Sequence, residues 1–120
     1  MLARNLAHPG VFDAALSAPC GWIFKHSPIC PTSERAEREV ERYAAAHPEL
    51  PVYRVDVIGD RPVSQSIAAR LGIRHESPQA ILLVAGRPVW DDSHGGVTAA
   101  ALERASLAHG VMPGAAVVEA

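Results

Sequence analysis

Hydrophobic and polar residues follow two different spacings along this chain, and each spacing predicts a different element. Residues Gly10 to Ser17 place apolar side chains on one helical face, which predicts a short leading helix that ends at Pro19. The run from Gly21 to His26 is aromatic and β-branched and predicts a strand. Pro31 opens a longer helix to about Ala46, because apolar residues recur there with a 3.6-residue period.

Strand and helix signals continue to alternate in the second half of the chain. Val52 to Val57 alternates apolar and polar residues and predicts a strand near the edge of a sheet. Pro62 opens a helix that Gly72 ends. Ala80 to Val84 is a continuous apolar run, which is typical of a central strand covered on both faces.

The last elements complete a recognisable order. A turn at Ala85 to Pro88 leads into a strand at Val89 to Asp91, and a final helix begins after Thr98 and ends at Gly110. Two strand–helix–strand crossovers imply parallel pairing with helices on both faces, and the closing hairpin adds an antiparallel strand. We therefore predict an α/β, thioredoxin-like fold with a four-stranded mixed sheet. One domain spans residues 1–120, with a core of about 10–110 and a loose tail at 111–120.

Composition narrows the classes of partner. The chain has 120 residues, a formal net charge of −2 and 5% aromatic residues, so neither a basic stripe nor a stacking platform for nucleic acid is expected. The longest apolar run, Ala80 to Ala85, is too short to span a membrane. The first nine residues lack the apolar segment of a signal peptide, so we expect a cytoplasmic protein whose two cysteines are thiols.

Cys30 is the candidate nucleophile. It follows the predicted strand and directly precedes Pro31, which suits the first position of a helix, so Cys30 is expected at the N-cap. The N–H groups and the dipole at a helix N-terminus favour negative charge, and the preceding Lys25 and His26 add positive potential. We predict that the reactive thiolate of Cys30 is abundant near neutral pH. A buried, unreactive cysteine is the alternative.

No second cysteine is expected to close a disulfide with Cys30. Ser33 occupies the position of the second cysteine in a Cys-x-x-Cys motif, and its hydroxyl is expected to hydrogen-bond the thiolate or to be an ordinary first-turn residue. Cys20 lies at the other end of the predicted strand, roughly 20 Å away, whereas bridged cysteines have Cα atoms within about 7 Å. Cys20 is therefore expected to be structural, with an intermolecular role left open.

Two further segments are candidates for substrate binding. Ser77-Pro78 directly precedes the apolar strand, and an X–Pro bond is the main place for a cis peptide. In a thioredoxin-like sheet a cis-proline here faces the cysteine and presents the backbone of the preceding residue. Gly95-Gly96 precedes the last helix, where close backbone approach and a helix N-terminus suit a carboxylate. Ordinary strand entry and turn formation are the competing interpretations.

The histidines do not predict a metal site. His26, His75 and His94 lack the spacing of metal ligands with Cys30 or with one another. We expect no metal and no tightly bound cofactor.

Four motifs, spread along most of the chain, carry a family resemblance. They are Phe-Lys-His-Ser-Pro-Ile-Cys-Pro-Thr-Ser at 24–33, Val-Ser-Gln-Ser-Ile-Ala at 63–68, Gly-Ile-Arg-His-Glu-Ser-Pro-Gln at 72–79 and Gly-Arg-Pro-Val-Trp at 86–90. In one register, from about residue 10 to 109, they resemble the monothiol bacilliredoxins, the YtxJ family of the bacillithiol system. Thr32, Gly95-Gly96 and Cys20 depart from the pattern of that family.

The resemblance implies a cytosolic enzyme that reduces mixed disulfides between proteins and bacillithiol. Cys30 would attack the bacillithiol sulfur and carry it until a second bacillithiol releases it, so bacillithiol is the expected co-substrate. Partners would be bacillithiolated proteins and a low-molecular-weight thiol, with the enzyme a monomer or weak dimer. A noncatalytic thioredoxin-like binding module and a monothiol glutaredoxin-like iron–sulfur carrier are the alternatives.

Overall fold

A five-stranded mixed sheet forms the centre of the molecule. The computed structural model describes residues 3–5 and 10–111. The strands are β1 (Ala3–Asn5), β2 (Cys20–His26), β3 (Val52–Asp56), β4 (Gln79–Val84) and β5 (Arg87–Ser93). Their order in the sheet is β1-β3-β2-β4-β5. Strand β3 pairs in parallel with β1 and β2, while β4 pairs antiparallel with β2 and β5.

Among the residues described, four helices cover the two faces of this sheet. They are α1 (Val11–Ser17), α2 (Pro31–Ala46), α3 (Arg61–Leu71) and α4 (Ala99–Ala108), with a single 3₁₀ turn at His94–Gly96 before α4. Each predicted helix and strand is present, and the thioredoxin-like α/β class is confirmed. The parallel pairing predicted for both strand–helix–strand crossovers is wrong for the second one. Gln79, at the start of β4, pairs with Lys25 near the end of β2, so β4 begins where β2 and β3 end and runs antiparallel to them. Of the predicted tail at 111–120, only Val111 lies within the described residues. No helix in the described ranges has the length and apolar character needed to cross a membrane.

The short edge strand β1 was not predicted. Three residues are too few for a periodic pattern, and Ala and Asn are depleted in strands. Strand β3 was expected near the sheet edge, and its outer side offers a row of N–H and C=O groups. Residues Ala3–Asn5 pair with that row in register with Val52–Arg54, so tertiary pairing, not local preference, creates the fifth strand.

The sheet separates two hydrophobic clusters. Trp22 and Phe24 point to the face covered by α2 and α4, while Ile23 points to the face covered by α1 and α3. This alternation follows from the two-residue period of a strand. On the α2 face, Trp22 Nε1 donates a hydrogen bond to the Tyr43 hydroxyl at 3.0 Å, which satisfies both polar groups inside the core. Both faces of β2 are thus buried, and β2 fixes where the chain enters α2.

The β4–β5 hairpin turns at Ala85-Gly86, where both residues have positive φ, 53° and 77°. A side chain on Gly86 would place its Cβ 2.6 Å from the Leu16 carbonyl oxygen. Glycine is therefore required both for the turn and for the close approach of α1.

Candidate functional site

Cys30 lies between the end of β2 and the start of α2. Its backbone is extended (φ −109°, ψ 118°) and it is the N-cap of α2, with Pro31 in the first turn. The Cys30 N–H donates to the Ser27 carbonyl at 3.3 Å, and the Cys30 carbonyl accepts from Glu34 N at 3.1 Å. The predicted N-cap position is therefore confirmed. A cysteine in this position faces the unpaired N–H groups of the first helical turn, which stabilise a thiolate.

The surroundings of Cys30 leave it partly open to solvent. Its side chain is half-buried, and the preceding Ile29 is 80% exposed. Among the described residues, no side-chain hydrogen bond from Cys30 caps α2. A partly exposed thiol beside a helix N-terminus combines access for a disulfide with stabilisation of the attacking anion.

Ser33 is completely buried, and its hydroxyl is engaged away from the surface. Its Oγ accepts a hydrogen bond from Ser27 N at 2.8 Å and lies 2.9 Å from His26 Nδ1. The sequence suggested a hydrogen bond from this hydroxyl to the Cys30 thiolate. The structure instead uses it to join the loop before Cys30 to the end of β2.

His26 is also buried, and its second ring nitrogen faces an acidic side chain. Nε2 lies 3.6 Å from Glu37 Oε1, and Glu37 Oε2 accepts from Arg54 Nε at 2.6 Å. Sequence reasoning did not identify Glu37 and Arg54 as part of the site. The sequence did contain two indications of these residues. Glu37 follows Ser33 by one helical turn and so lies on the same face of α2, and Arg54 is a polar residue on the side of β3 that faces α2.

Lys25 points to the opposite face of the sheet from α2. It is 0% exposed, and its Nζ donates to the Ser64 carbonyl at 3.2 Å and lies 3.0 Å from His75 Nδ1. Burial lowers the pKa of Lys25 to about 8. Burial, followed by the charge of Lys25, also lowers the pKa of His75, so a neutral His75 accepts this hydrogen bond. Lys25 thus binds α3 and the loop before Ser77, and its ammonium is directed there.

The Ser77–Pro78 peptide bond is cis, as the sequence suggested. Lys25 pairs with Gln79 across the antiparallel strands β2 and β4. Continuing this register by one residue places Pro78 at the end of β2, where the loop that carries Cys30 begins. Gln79 Nε2 donates to the Arg74 carbonyl at 3.1 Å. The segment before Ser77 is therefore held by contacts with two side chains of the sheet, Lys25 and Gln79.

The Gly95-Gly96 turn is joined to this loop through its neighbour His94. His94 N donates to the Pro78 carbonyl at 3.0 Å, and His94 Nε2 lies 3.1 Å from Glu76 Oε1. A Cβ at Gly96 would collide with the carboxylate of Asp92. The structure thus brings the Ser77-Pro78 and Gly95-Gly96 segments together, with an acidic group already against Gly96.

The start of α4 already has its acceptors. Thr98 Oγ1 accepts from Ala101 N at 3.1 Å, and Glu39 Oε1 accepts from Ala99 N at 3.0 Å. The N–H groups of Ala99 and Ala101 are therefore engaged within the protein, whereas Gly95 in the preceding turn is exposed. Carboxylate binding at Gly95-Gly96 stays a prediction.

Cys20 lies at the start of β2, at the opposite end of the strand from Cys30. Both cysteines are free thiols. Burial raises the pKa of Cys20, which keeps this thiol protonated near neutral pH. Within the part of the chain that the structure describes, no three His, Cys, Asp or Glu side chains are grouped as a metal site.

Comparison with known structures shows the fold. A protein described as having a thioredoxin fold and a suggested oxidoreductase activity is 28% identical, with a TM-score of 0.81 over 88% of this chain and 94% of that one. The thioredoxin of Fasciola hepatica is 16% identical, with a TM-score of 0.71 over 88% and 98% of the two chains. Thioredoxin f2 of Chlamydomonas reinhardtii is 10% identical, with a TM-score of 0.71 over 91% and 97%.

Comparison with protein families gives the closer relationship. The family described as monothiol bacilliredoxin BrxC matches residues 12–102, which contain Cys30, the cis-proline and the Gly95-Gly96 turn. The matched segment is most of the described chain. This protein is a thiol redox protein of thioredoxin-like fold, and it belongs to the monothiol bacilliredoxin family.

Proposed function

We propose that the protein is a thiol–disulfide oxidoreductase that removes bacillithiol from protein mixed disulfides. The observation that carries the proposal is the half-buried Cys30 at the N-cap of α2, with a serine where a dithiol enzyme has its second cysteine. Membership of the bacilliredoxin family supports bacillithiol as the co-substrate and bacillithiolated proteins as partners. Free thiols suit a reducing compartment, which supports a cytoplasmic location.

The proposed reaction has two exchanges of disulfide bonds. The Cys30 thiolate attacks the bacillithiol sulfur of the mixed disulfide, the S–S bond breaks, and the substrate cysteine leaves as a thiolate that takes a proton from water. Cys30 then carries bacillithiol in a disulfide. A second bacillithiol thiolate attacks the bound bacillithiol sulfur, which releases Cys30 as a thiolate and forms oxidised bacillithiol. The net reaction converts the mixed disulfide and one bacillithiol thiol into the protein thiol and oxidised bacillithiol, so one S–S bond is exchanged for another and no other reductant is required.

The other predicted site residues have supporting roles in this proposal. Pro31 contributes no N–H group and starts α2 directly after the nucleophile. Ser77 presents its backbone to the substrate beside Pro78, and the backbone of Gly95-Gly96 is the candidate for binding a substrate carboxylate. A monomer or weak dimer is sufficient, because the proposed steps need one Cys30.

The test is turnover of a bacillithiolated reporter protein in the presence of excess bacillithiol. We expect Cys30→Ser to abolish turnover and Cys20→Ser to keep it within about twofold of the unmodified protein, since no step needs Cys20. Mass spectrometry of the unmodified protein should find bacillithiol on Cys30.

The same measurements separate the alternatives. Turnover that survives in Cys30→Ser contradicts the proposal. An unmodified protein without turnover indicates a binding module. A brown protein whose visible absorption requires Cys30 indicates an iron–sulfur carrier.

A further inference from the structure

A chain of buried polar contacts runs from the surface of β3 to the loop before Cys30. It consists of Arg54, Glu37, His26 and Ser33 and ends at the Ser27 N–H. The exposed fractions fall along it, from 37% for the Arg54 side chain and 24% for Glu37 to 7% for His26 and 0% for Ser33. Buried polar groups are costly unless each is satisfied, so these contacts restrict the positions of the side chains that make them.

The direction of the hydrogen bonds follows from the partners at the two ends. The negatively charged Glu37 carboxylate lies 3.6 Å from His26 Nε2, beyond hydrogen-bond distance, and its charge favours the tautomer with the hydrogen on Nε2. In a neutral imidazole Nδ1 is then an acceptor, and Ser33 must donate its hydroxyl hydrogen to it. The remaining Ser33 contact, from Ser27 N, uses an oxygen lone pair.

This arrangement leaves Ser33 with no hydrogen to donate to the Cys30 sulfur. Ser33 instead positions the backbone. Its Oγ accepts from the Ser27 N–H, and the Ser27 carbonyl accepts from the Cys30 N–H. The nucleophile is therefore fixed at the helix N-terminus by a contact whose geometry depends on the orientation of His26.

We propose that Glu37 and His26 are positioning residues for Cys30, acting through Ser33. The proposal rests on Cys30 being the nucleophile of the proposed function, and it adds which groups keep that nucleophile reactive. Arg54 holds the Glu37 carboxylate in place, and Asp56, at the end of β3, is a further charged group that interacts with His26. Neither Glu37 nor His26 contacts the substrate in this proposal.

The first test is Glu37→Gln, read out by two measurements that use no bacillithiol. One is the rate at which iodoacetamide alkylates Cys30, followed by mass spectrometry, and the other is the tautomer of His26 from its ¹⁵N chemical shifts. Arg54 Nε donates to this side chain, so the glutamine oxygen should face Arg54 and its NH2 group should face His26 Nε2. This orientation favours the imidazole hydrogen on Nδ1 and reverses the bond to Ser33. We expect the tautomer to change, so that Ser33 Oγ accepts from both Nδ1 and Ser27 N while its own hydrogen loses its acceptor. The alkylation rate should then fall about three- to tenfold, the effect of one unsatisfied hydrogen-bonding group.

Two variants on the same helix control for the loss of a negative charge. Glu34→Gln removes an exposed carboxylate in the first turn of α2, and Glu41→Gln removes an exposed one further along. Removing negative charge alone favours the thiolate, so these variants should alkylate at least as fast as the unmodified protein. A Glu37→Gln protein that alkylates as fast as these controls, with the His26 tautomer unchanged, overturns the proposal.

A matched pair at position 26 tests the same point if Glu37→Gln fails to fold. The amide of His26→Asn reaches the place of Nδ1 and can accept from Ser33, whereas His26→Gln reaches the place of Nε2 and cannot. We expect His26→Asn to alkylate about three- to tenfold faster than His26→Gln. Equal rates contradict the proposal. If the unmodified protein shows no bacillithiol turnover but the variants still differ in alkylation rate as expected, only the proposed function is overturned.

Discussion

Lys25 is the only lysine in the sequence, and it is among the most deeply buried side chains. From the sequence, the charge of Lys25 was expected to supply positive potential to Cys30. Its position in the folded protein directs the charge elsewhere. Its ammonium instead lies on the α3 face, bound to Ser64 and His75. Which face a strand residue occupies follows from the strand period, but which partner it meets depends on the packing of α3.

The lowered pKa of Lys25 predicts a specific pH dependence of stability. The pKa is about 8 in the folded protein and near 10.5 when unfolded, so the unfolded chain binds more protons between these values. The free energy of unfolding therefore gains from Lys25 as pH rises from 8 to 10.5, by up to about 3 kcal/mol. Below pH 8 the cost of the buried charge is fully present.

The prediction is checked against Lys25→Met, which lacks the titrating group. The difference in free energy of unfolding, unmodified protein minus Lys25→Met, should increase from pH 8 to 10. Subtraction removes the opposite contribution of Tyr43, whose pKa is raised by burial. Isotopically labelled lysine gives a single NMR signal in this chain, and a titration midpoint near 10.5 would contradict the prediction.

At the scale of elements, the start of α4 shows how a helix terminus is satisfied by the protein itself. Thr98 caps Ala101, as expected from the sequence, and Glu39 of α2 accepts from Ala99. The second contact joins residues 60 positions apart and also stabilises the positive end of the helix dipole. For this reason α4 offers less to an external carboxylate than its sequence suggests.

Removal of the Thr98 cap should destabilise the protein measurably. We expect Thr98→Ala to lower the free energy of unfolding by about 1 kcal/mol, the typical value of an N-cap side chain. Urea unfolding followed by circular dichroism measures the change. Thr32→Ala, an exposed position in α2 that is not an N-cap, is the control and should change stability by less than about 0.5 kcal/mol. Equal effects of the two substitutions would refute the capping role.

At the scale of the whole molecule, strand β2 separates the two thiols. Cys20 begins the strand and Cys30 follows its end, so the seven residues of β2 lie between them as a rigid spacer. One thiol is at a helix N-terminus, while burial raises the pKa of the other. The fold therefore keeps an internal disulfide from forming, although both cysteines belong to one small domain.

Oxidation of the purified protein should leave each molecule without an internal disulfide. After treatment with oxidised bacillithiol, we expect the adduct on Cys30 and a Cys20 that is still alkylated by iodoacetamide once the protein is unfolded. A disulfide requires Cα atoms within about 7 Å, which β2 does not allow. Peptide mapping provides the measurement. A Cys20–Cys30 peptide from monomeric protein would contradict the structure.

The sequence by itself determined every element except β1, the order of these elements along the chain and the N-cap position of Cys30. Helix α2 has its predicted bounds, because Pro31 and Pro48 act locally on the backbone and a strand–Cys–Pro sequence needs no distant partner. Only the tertiary structure decided which side chains support Cys30. Ser33 contacts Ser27 and His26, and Glu37 contacts Arg54, because α2 packs on the face of β2 and β3 that carries those residues. Such contacts depend on the relative placement of whole elements, which no local pattern encodes.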